Sequence, residues 1–296
     1  MPKNGILKQR PWPDIDGVTP ITGMTDPTLI FLHLPKCGGT TLNRIIEWEY
    51  NPLRIFSVDP SFFRWSYRKL GGWSPERLAQ MQVFKGHMPF GLHERLSGPS
   101  TYITFLRDPI ERSISAYYFA RNYVLHPLHW KVKRMTLDEY VRWTPNHNVQ
   151  TKLLAGQDFA ADCSEDTLAL AKANLASHFA LAGLTERFDE CLALLKIMFG
   201  WNISQYANFN VTGNRPNKGR VPTSSQDLIA ERNRFDVALY QHVVPLFDEV
   251  VKGHGKEAQV QLQAIRHAKS LGPVDALRYL TSSGIRKAIS RIHSAL

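Results

Sequence analysis

The amino-acid sequence predicts an α/β fold of the P-loop-like type, in which a mainly parallel central sheet is flanked by helices. Short apolar runs alternate along the chain with segments of helical character, which is the pattern of parallel strands joined by crossover helices. The first apolar run, residues 28–34, leads into a glycine loop and then a helix. A second run, residues 101–106, ends at an Arg-Asp-Pro sequence that starts another helix.

Each early element carries its own local signal. Residues 28–34 (TLIFLHL) form a continuous apolar run, which is typical of a strand buried on both faces. The segment 40–50 behind the glycine loop is predicted to be helical. Ser74 followed by Pro75 predicts a helix start, because serine caps well and proline fits the first helical position. Residues 82–85 predict a short strand.

The later elements follow the same logic. Residues 101–106 (TYITFL) predict a strand, and the next helix has a strong start signal. Asp108 is expected to cap it, Pro109 to take its first position and Glu111 to complete a capping box, with the helix running to about residue 121. The remaining predictions are a strand at 179–183 and helices at 185–199 and 225–250.

Three segments differ in composition. Residues 1–27 are rich in Pro, Gly and Asp and are expected to form an irregular leader, whereas residues 28–250 carry the α/β domain. Residues 251–296 are expected to form a basic helical C-terminal extension. Its cations far outnumber Glu257 and Asp275, its only carboxylates. Such a segment fits either peripheral contact with a membrane or partner, or a solvated helix.

Charge and cysteine content narrow the classes of function. The chain has 296 residues, a formal net charge of +10 and a pI of about 9.6. This favours anionic ligands, but nucleic acid, acidic lipid, a polyanionic glycan and a phosphorylated cofactor all fit. The 3 cysteines form no CxxC pair, which argues against a disulfide framework or a cysteine zinc site. Residues 1–17 lack the apolar core of a signal peptide, and no apolar run is long enough for a membrane span. We therefore expect a soluble, cytoplasmic protein.

The loop that starts at Lys36 has the properties of a phosphate site. The first amides of a helix have no intrahelical partners, and the helix dipole favours an anion there. Gly38 and Gly39 allow close approach of the backbone, while Thr40, Thr41 and Lys36 add hydroxyls and a cation. A Walker loop has its lysine after the glycines, whereas this lysine precedes them. A P-loop kinase or NTPase stays open as an alternative, as does a plain tight turn.

A second cationic cluster follows the strand at 101–106. Arg107 lies where that strand ends, at the sheet edge that binds ligands in open α/β folds. Its guanidinium suits a phosphate group. Ser115 lies two helical turns beyond Asp108 and so shares a face with that cap. We predict that one phosphate contacts both Arg107 and Ser115. Asp108 and Arg112 are expected to be structural or surface residues.

The two clusters together carry a family resemblance. PKCGGTT, followed by FLRDPIERSISAYYF, resembles the glycan sulfotransferases that use PAPS (3′-phosphoadenosine-5′-phosphosulfate), particularly heparan-sulfate 2-O- and 6-O-sulfotransferases and soluble bacterial relatives. The resemblance implies the sulfotransferase version of the fold, with PAPS as co-substrate, PAP as product and no metal. It places Arg107 and Ser115 at the 3′-phosphate. It places the following residues at the 5′-phosphosulfate: Lys36, Cys37, Gly38, Gly39, Thr40 and Thr41.

Further segments extend this resemblance over roughly residues 28–220. GHMPFG resembles the family's segment with the catalytic base, which implies that His87 is the base and that Lys36 stabilises the leaving group. LTERF at 184–188 resembles its "GxTE" element, and the segment around Arg215 resembles a loop that closes over the nucleotide. Lys85 departs from the 2-O enzymes, which have a histidine there. His93 is a weaker candidate for a helper.

The predicted function is therefore sulfuryl transfer from PAPS to a hydroxyl group of a glycan, glycolipid or other carbohydrate-type acceptor. Two alternatives remain, a P-loop kinase or NTPase and a non-enzymatic module that binds polyanions. Nucleic acid is not the expected partner. His126 and His129 form an HxxH pair, but they have no third ligand and are expected on the surface rather than at a metal. The sequence leaves the acceptor and the oligomeric state open.

Overall fold

A computed structural model describes residues 27–58, 69–203 and 216–269 of the chain. Within them, five strands form one sheet, and every neighbouring pair of strands is parallel. The strands are β1 (Thr28–Leu32), β2 (Ile55–Val58), β3 (Val83–Gly86), β4 (Ser100–Leu106) and β5 (Phe179–Leu184). Their order in the sheet is β2-β3-β1-β4-β5. The predicted α/β fold with a parallel sheet is confirmed.

Helices connect these strands and cover the sheet. They are α1 (Gly39–Glu49), α2 (Pro75–Ala79), α3 (Pro109–Asn122), α4 (His129–Val132), α5 (Leu137–Trp143), α6 (Val149–Leu154), α7 (Glu165–His178), α8 (Phe188–Phe199), α9 (Thr223–Arg232) and α10 (Arg234–Lys269). The main core joins β1–β5 to apolar faces of α1, α8 and α10. A smaller core joins α3 to α5 and α9, with Tyr117 and Ile229 buried between them.

The capping predictions hold for two helix starts. The Ser74 hydroxyl accepts a hydrogen bond from the Arg77 amide at the start of α2. One carboxylate oxygen of Asp108 accepts from the amides of Ile110 and Glu111 at the start of α3. The capping box at Glu111 is wrong, because the amide of Asp108 donates to Glu186 from the loop after β5.

Three element predictions differ from the structure. Strand β1 ends at Leu32 instead of residue 34, and the chain then leaves the sheet towards the glycine loop. Strand β2 was not predicted, since its four residues are too short for a periodicity to appear. The single helix expected at 225–250 is two helices that meet at Asn233. Its buried side chain bonds to the Ile229 carbonyl and so ends α9.

Helix α10 runs through residue 250, where we placed the boundary of the C-terminal extension, and it has a non-helical residue at Gly255. The leader at 1–26, the loop with Arg215 and the segment 270–296 lie outside the described residues. In the described ranges, no helix combines the length and apolar character that a membrane crossing requires.

Candidate active site

A cavity of about 1390 Å³ opens at the carboxyl ends of β1, β3 and β4. Because these strands are parallel and adjacent, the loops that follow them meet at one edge of the sheet. The cavity exceeds the roughly 300–1,000 Å³ of an ordinary small-molecule pocket, so it has room for two substrates. The residues that we predicted from sequence and that line it are Lys36, Gly38, Gly39, Thr40, Thr41, His87, Arg107 and Ser115.

The glycine loop forms one wall of this cavity. Lys36 and Gly38 have left-handed backbones with φ of 70° and 73°, so the chain turns sharply before α1 begins at Gly39. Lysine rarely adopts this conformation, and such strain is concentrated at functional sites. A Cβ atom at Gly39 would lie 2.1 Å from two atoms of the His33 ring, so only glycine fits there. The loop thus brings the start of α1 to the cavity.

Cys37, unlike the residues beside it in the glycine loop, does not line the cavity. Its side chain is buried and does not line the cavity, and its backbone amide donates to the Leu34 carbonyl. The thiol donates towards the Pro35 carbonyl and Gln150 Oε1. Burial raises the pKa of this thiol to about 12, so it stays protonated. The assignment of Cys37 as a ligand contact finds no support in this geometry, which gives it a packing role.

Arg107 is in direct contact with the glycine loop. Its Nη1 donates to the Lys36 carbonyl at 3.1 Å, and its Nη2 lies 3.4 Å from Glu111 Oε2. Gln150 of α6 holds the backbone of Arg107 on both sides, because it accepts from the amide at 2.9 Å and donates to the carbonyl at 3.0 Å. The two cationic clusters that are distant in sequence therefore form one wall.

One face of α3 completes this wall. Arg112, Ser115 and Phe119 all line the cavity, as their helical spacing requires. The ammonium group of Lys36 lies 3.7 Å from the centroid of the Phe119 ring. Ser115 is 3% exposed. Arg112, which we expected to be structural or on the surface, is buried, and its Nε lies 3.8 Å from a carboxylate oxygen of Asp236.

Asp236 connects residues behind this wall of the cavity. It is fully buried, and its carboxylate accepts from the amides of Gln150 and Thr151 and from the Thr151 hydroxyl. Several hydrogen bonds and a nearby guanidinium compensate the cost of burying this charge. Because Gln150 in turn holds Arg107, the network fixes the position of the cation at the cavity wall.

His87 lines the same cavity and directly follows the end of β3. Its Nδ1 is 2.6 Å from the backbone carbonyl of His33, an acceptor, so this nitrogen must carry the proton. When the ring is neutral, its basic lone pair is therefore on Nε2. The ring also packs against the His33 ring at 4.2 Å between centroids. A fixed tautomer of this kind is what a general base requires.

His33 is a cavity residue that sequence reasoning missed. Burial, followed by the nearby charges of His87, Lys85 and Lys36, holds the pKa of its imidazole well below the usual 6.5. His33 is thus neutral near pH 7. Its Nδ1 contacts the Asn43 side-chain amide at 3.3 Å. The signal was its position directly after β1, beside the glycine loop, where a polar side chain meets the cavity.

A buried ion pair also lines the cavity. Lys85 Nζ is 2.6 Å from Glu47 Oε1, both side chains are almost fully buried, and both residues line the cavity. Arg44 lies 3.5 Å from the other oxygen of Glu47. Lys85 is the position at which the sequence departs from the 2-O enzymes. The carboxylate of Glu47 in α1 therefore neutralises the ammonium group of Lys85.

The other histidines that we considered have three different surroundings, and of them only His126 lines the cavity. His93 is outside the cavity lining, where its Nδ1 contacts the Tyr102 hydroxyl at 3.1 Å. His126 lies on the cavity rim. His129 is buried, so its expected surface position is wrong; its ring packs edge-on against Trp130. Among the described residues, no group of three or more His, Cys, Asp and Glu side chains is arranged to hold a metal ion.

The LTERF segment after β5 packs against the glycine loop. The side chains of Thr185 and Phe188 lie 3.4 Å from the point that a Cβ atom of Gly38 would occupy, and both line the cavity. The Thr185 hydroxyl donates to the Leu106 carbonyl at the end of β4. Glu186 accepts from the amide of Asp108 and from the Tyr240 hydroxyl. This segment therefore links both cationic clusters to α10.

This chain is similar to a family model and to several known proteins. The model of the galactose-3-O-sulfotransferase family matches residues 58–272, which is well over half of the chain and begins after the glycine loop. Galactosylceramide sulfotransferase of Bos taurus is 29% identical over 209 residues, covering 64% of this chain and 48% of the relative. Galactose-3-O-sulfotransferase 3 of Bos taurus is 25% identical, covering 77% and 58%. Heparan sulfate 2-O-sulfotransferase hst-2 of Caenorhabditis elegans is 26% identical, covering 76% and 79%. The chain spans about half the length of the galactosylceramide enzymes that it matches.

Proposed function

Because the chain belongs to the galactose-3-O-sulfotransferase family, we propose that it transfers a sulfuryl group from PAPS to a hydroxyl group of a carbohydrate. The expected resemblance to carbohydrate sulfotransferases is confirmed at the level of the family. The observation that carries the proposed activity is the shared cavity. It brings together a glycine loop with a lysine, a fixed arginine and a histidine of defined tautomer.

The donor is proposed to lie along the wall formed by the glycine loop and α3. The start of α1 and the Thr40 and Thr41 hydroxyls suit the 5′-phosphosulfate, because a helix N-terminus attracts anions. Arg107 and Ser115 suit the 3′-phosphate, and Arg112 adds a buried cation to that side. The contact between Arg107 and the Lys36 carbonyl fixes the spacing of the two anion sites.

His87 is proposed to act as the general base. Its Nε2 accepts the proton of the acceptor hydroxyl while the acceptor oxygen forms a bond to sulfur. The bond between sulfur and the bridging oxygen of the donor breaks in line, and PAP leaves with the bonding electrons. Lys36 stabilises the negative charge that develops on that oxygen. The His33 carbonyl keeps the His87 proton on Nδ1 throughout the approach.

We also propose that the reaction needs no divalent cation, since Lys36 and Arg107 supply positive charge at both anion sites. A P-loop kinase, the rival enzyme, would need a nucleoside triphosphate with Mg²⁺. A chelator such as EDTA separates the two, because it should leave sulfuryl transfer intact and abolish phosphoryl transfer. A polyanion-binding module would bind in a strongly salt-dependent way and show no affinity for PAP.

The acceptor is proposed to carry its hydroxyl on a glycan or a glycolipid. The names of the relatives include a galactosylceramide enzyme and a heparan sulfate enzyme, so both acceptor types occur among similar proteins. We also propose that the protein is located in the cytoplasm.

The decisive experiment is labelled sulfate transfer from PAPS to a panel of galactosides, glycolipids and glycosaminoglycans, with calorimetry of PAP binding alongside. His87→Gln should abolish transfer and leave PAP affinity unchanged. His93→Gln is the matched control, because it removes a histidine that lies outside the cavity. Transfer that survives in His87→Gln would remove His87 from the chemistry. A wild-type protein that ignores PAP would overturn the proposed function itself.

A further inference from the structure

The mouth of the cavity is bordered by an unusually apolar surface. In the described residues, eight large apolar side chains are exposed, and four of them lie within one short stretch after α3. These four are Tyr123 at 47%, Val124 at 61%, Leu125 at 79% and Trp130 at 69% exposure. We call residues 121–134 the rim segment. Clustered apolar exposure of this kind marks an interaction surface, unlike single exposed apolar side chains.

The rim segment is also strongly cationic. It contains Arg121, Lys131, Lys133 and Arg134 and no carboxylate. The Lys133 ammonium lies 5.4 Å from the centroid of the Trp130 ring. Lysine and arginine beside exposed tryptophan and leucine form the composition of surfaces that lie at a membrane–water interface.

The exposure does not arise from a frayed chain. The rim segment is tied by backbone hydrogen bonds from His126 to Tyr123 and from His129 to His126. The His126 ring accepts a further bond from the Leu128 amide. Val132 is fully buried in the smaller core and anchors the end of the segment. The fold therefore holds the apolar side chains outward.

The rim segment is continuous with the active-site cavity. Tyr123, Leu125 and Leu128 belong to its lining. A surface that contacts the rim segment would therefore lie beside the cavity that His87 also lines.

We propose that the rim segment docks on the surface of a lipid bilayer that contains anionic lipid, so that the cavity opens towards acceptors held in that surface. A polyanionic glycan would engage the cations and leave Val124, Leu125 and Trp130 in water. A bilayer satisfies both parts of the surface, because the apolar side chains enter the interface while the cations contact headgroups. This inference goes beyond the proposed function, since docking requires no sulfuryl transfer.

Co-sedimentation of the full chain with vesicles tests the proposal. Wild type should bind phosphatidylcholine vesicles that contain phosphatidylserine more tightly than vesicles of phosphatidylcholine alone. The double variant Leu125→Ser/Trp130→Ser should bind at least about tenfold more weakly, because two large apolar contacts are lost. Lys131→Gln/Lys133→Gln should reduce the preference for anionic vesicles. Leu170→Ser, at an exposed leucine of α7, is the matched control and should bind as the wild type does.

Several results would overturn the proposal. Wild type that fails to bind either vesicle does so directly. Rim variants that bind like the wild type would assign binding to another surface, such as the basic C-terminal extension. Sedimentation velocity tests the alternative that a second copy of the chain covers the rim segment. That alternative would be shown by a wild type that binds no vesicles and forms a dimer, if the dimer dissociates in Leu125→Ser/Trp130→Ser. Melting temperatures of all variants check that each is folded.

Discussion

Gly39→Ala tests whether the site depends on the close approach of the glycine loop to His33. The new Cβ atom would lie 2.1 Å from Cδ2 and Nε2 of the His33 ring and 2.7 Å from Cε1, whereas ordinary contact begins at 3.4 Å. Either the ring or the start of α1 must therefore move by more than about 1 Å, a forced shift of the kind that overpacking imposes on protein interiors. Overpacking of this size costs about 1–3 kcal/mol.

The displacement reaches both halves of the site. The His33 carbonyl accepts the Nδ1–H of His87, and the two rings pack at 4.2 Å, so movement of His33 disturbs the base. Gly39 is also the first residue of α1 and lines the cavity. Misplacement of reacting groups by about 1 Å costs on the order of 10²-fold in rate. We expect kcat/KM for sulfuryl transfer to fall by about this factor, with weaker PAP binding.

The assay compares initial rates of labelled sulfate transfer with calorimetry of PAP binding. Gly98→Ala is the control, because a Cβ atom there meets nothing within 4 Å and its backbone is not left-handed. The double variant Gly39→Ala/His33→Ala removes the ring from the clash, so PAP affinity should recover relative to Gly39→Ala alone. Wild-type rates and PAP affinity in Gly39→Ala would refute this reasoning.

The remaining predictions concern charge. Lys36→Ala should lower kcat by about 10²–10³, as loss of an oxyanion donor does; single-turnover rates near the wild-type value would contradict its role. Arg107→Ala should weaken binding of PAP far more than that of adenosine 5′-phosphosulfate, and equal losses in calorimetry would exclude contact with the 3′-phosphate. The pKa of His33 lies below 6.5 in the folded state, so the unfolded state takes up the proton first as pH falls. His33 should thus lower the free energy of unfolding below about pH 6.5 and not above it. In His33→Asn, the free energy of unfolding measured with urea should depend less on pH in that range.

The cavity wall formed by the glycine loop and Arg107 was predictable because its signals are local. A glycine loop between a buried strand and a helix marks the anion site around Lys36, and Arg107 directly follows a second strand. The parallel sheet then brings the two together without further information, because carboxyl ends of parallel strands share one edge. His87 was singled out through the family resemblance of its segment and its place after a predicted strand, since an isolated histidine carries no periodic signal.

The supporting residues were not predictable in the same way. The resemblance of residues 147–156 to a stretch of the family gave Gln150 no role, and Asp236 is an ordinary polar residue in the sequence. Their importance comes from contacts with residues far along the chain. His33 lies inside an apolar run and was counted as part of a strand. Cys37 was assigned to the ligand by its position in the loop, whereas the direction of its side chain depends on packing against Gln150.

The same contacts explain why the sequence indicates the donor more clearly than the acceptor. Arg107 is held by Gln150, which is held by Asp236, and it contacts the Lys36 carbonyl, so the two cationic clusters have a fixed separation. A site of fixed spacing fits one ligand well, because its side chains lose their conformational entropy on folding and not on binding. The side proposed for the acceptor, in contrast, is bordered by the rim segment and by side chains from several loops. Residues there can change without disturbing the buried network, so the choice of acceptor is less constrained by this network than the proposed donor position.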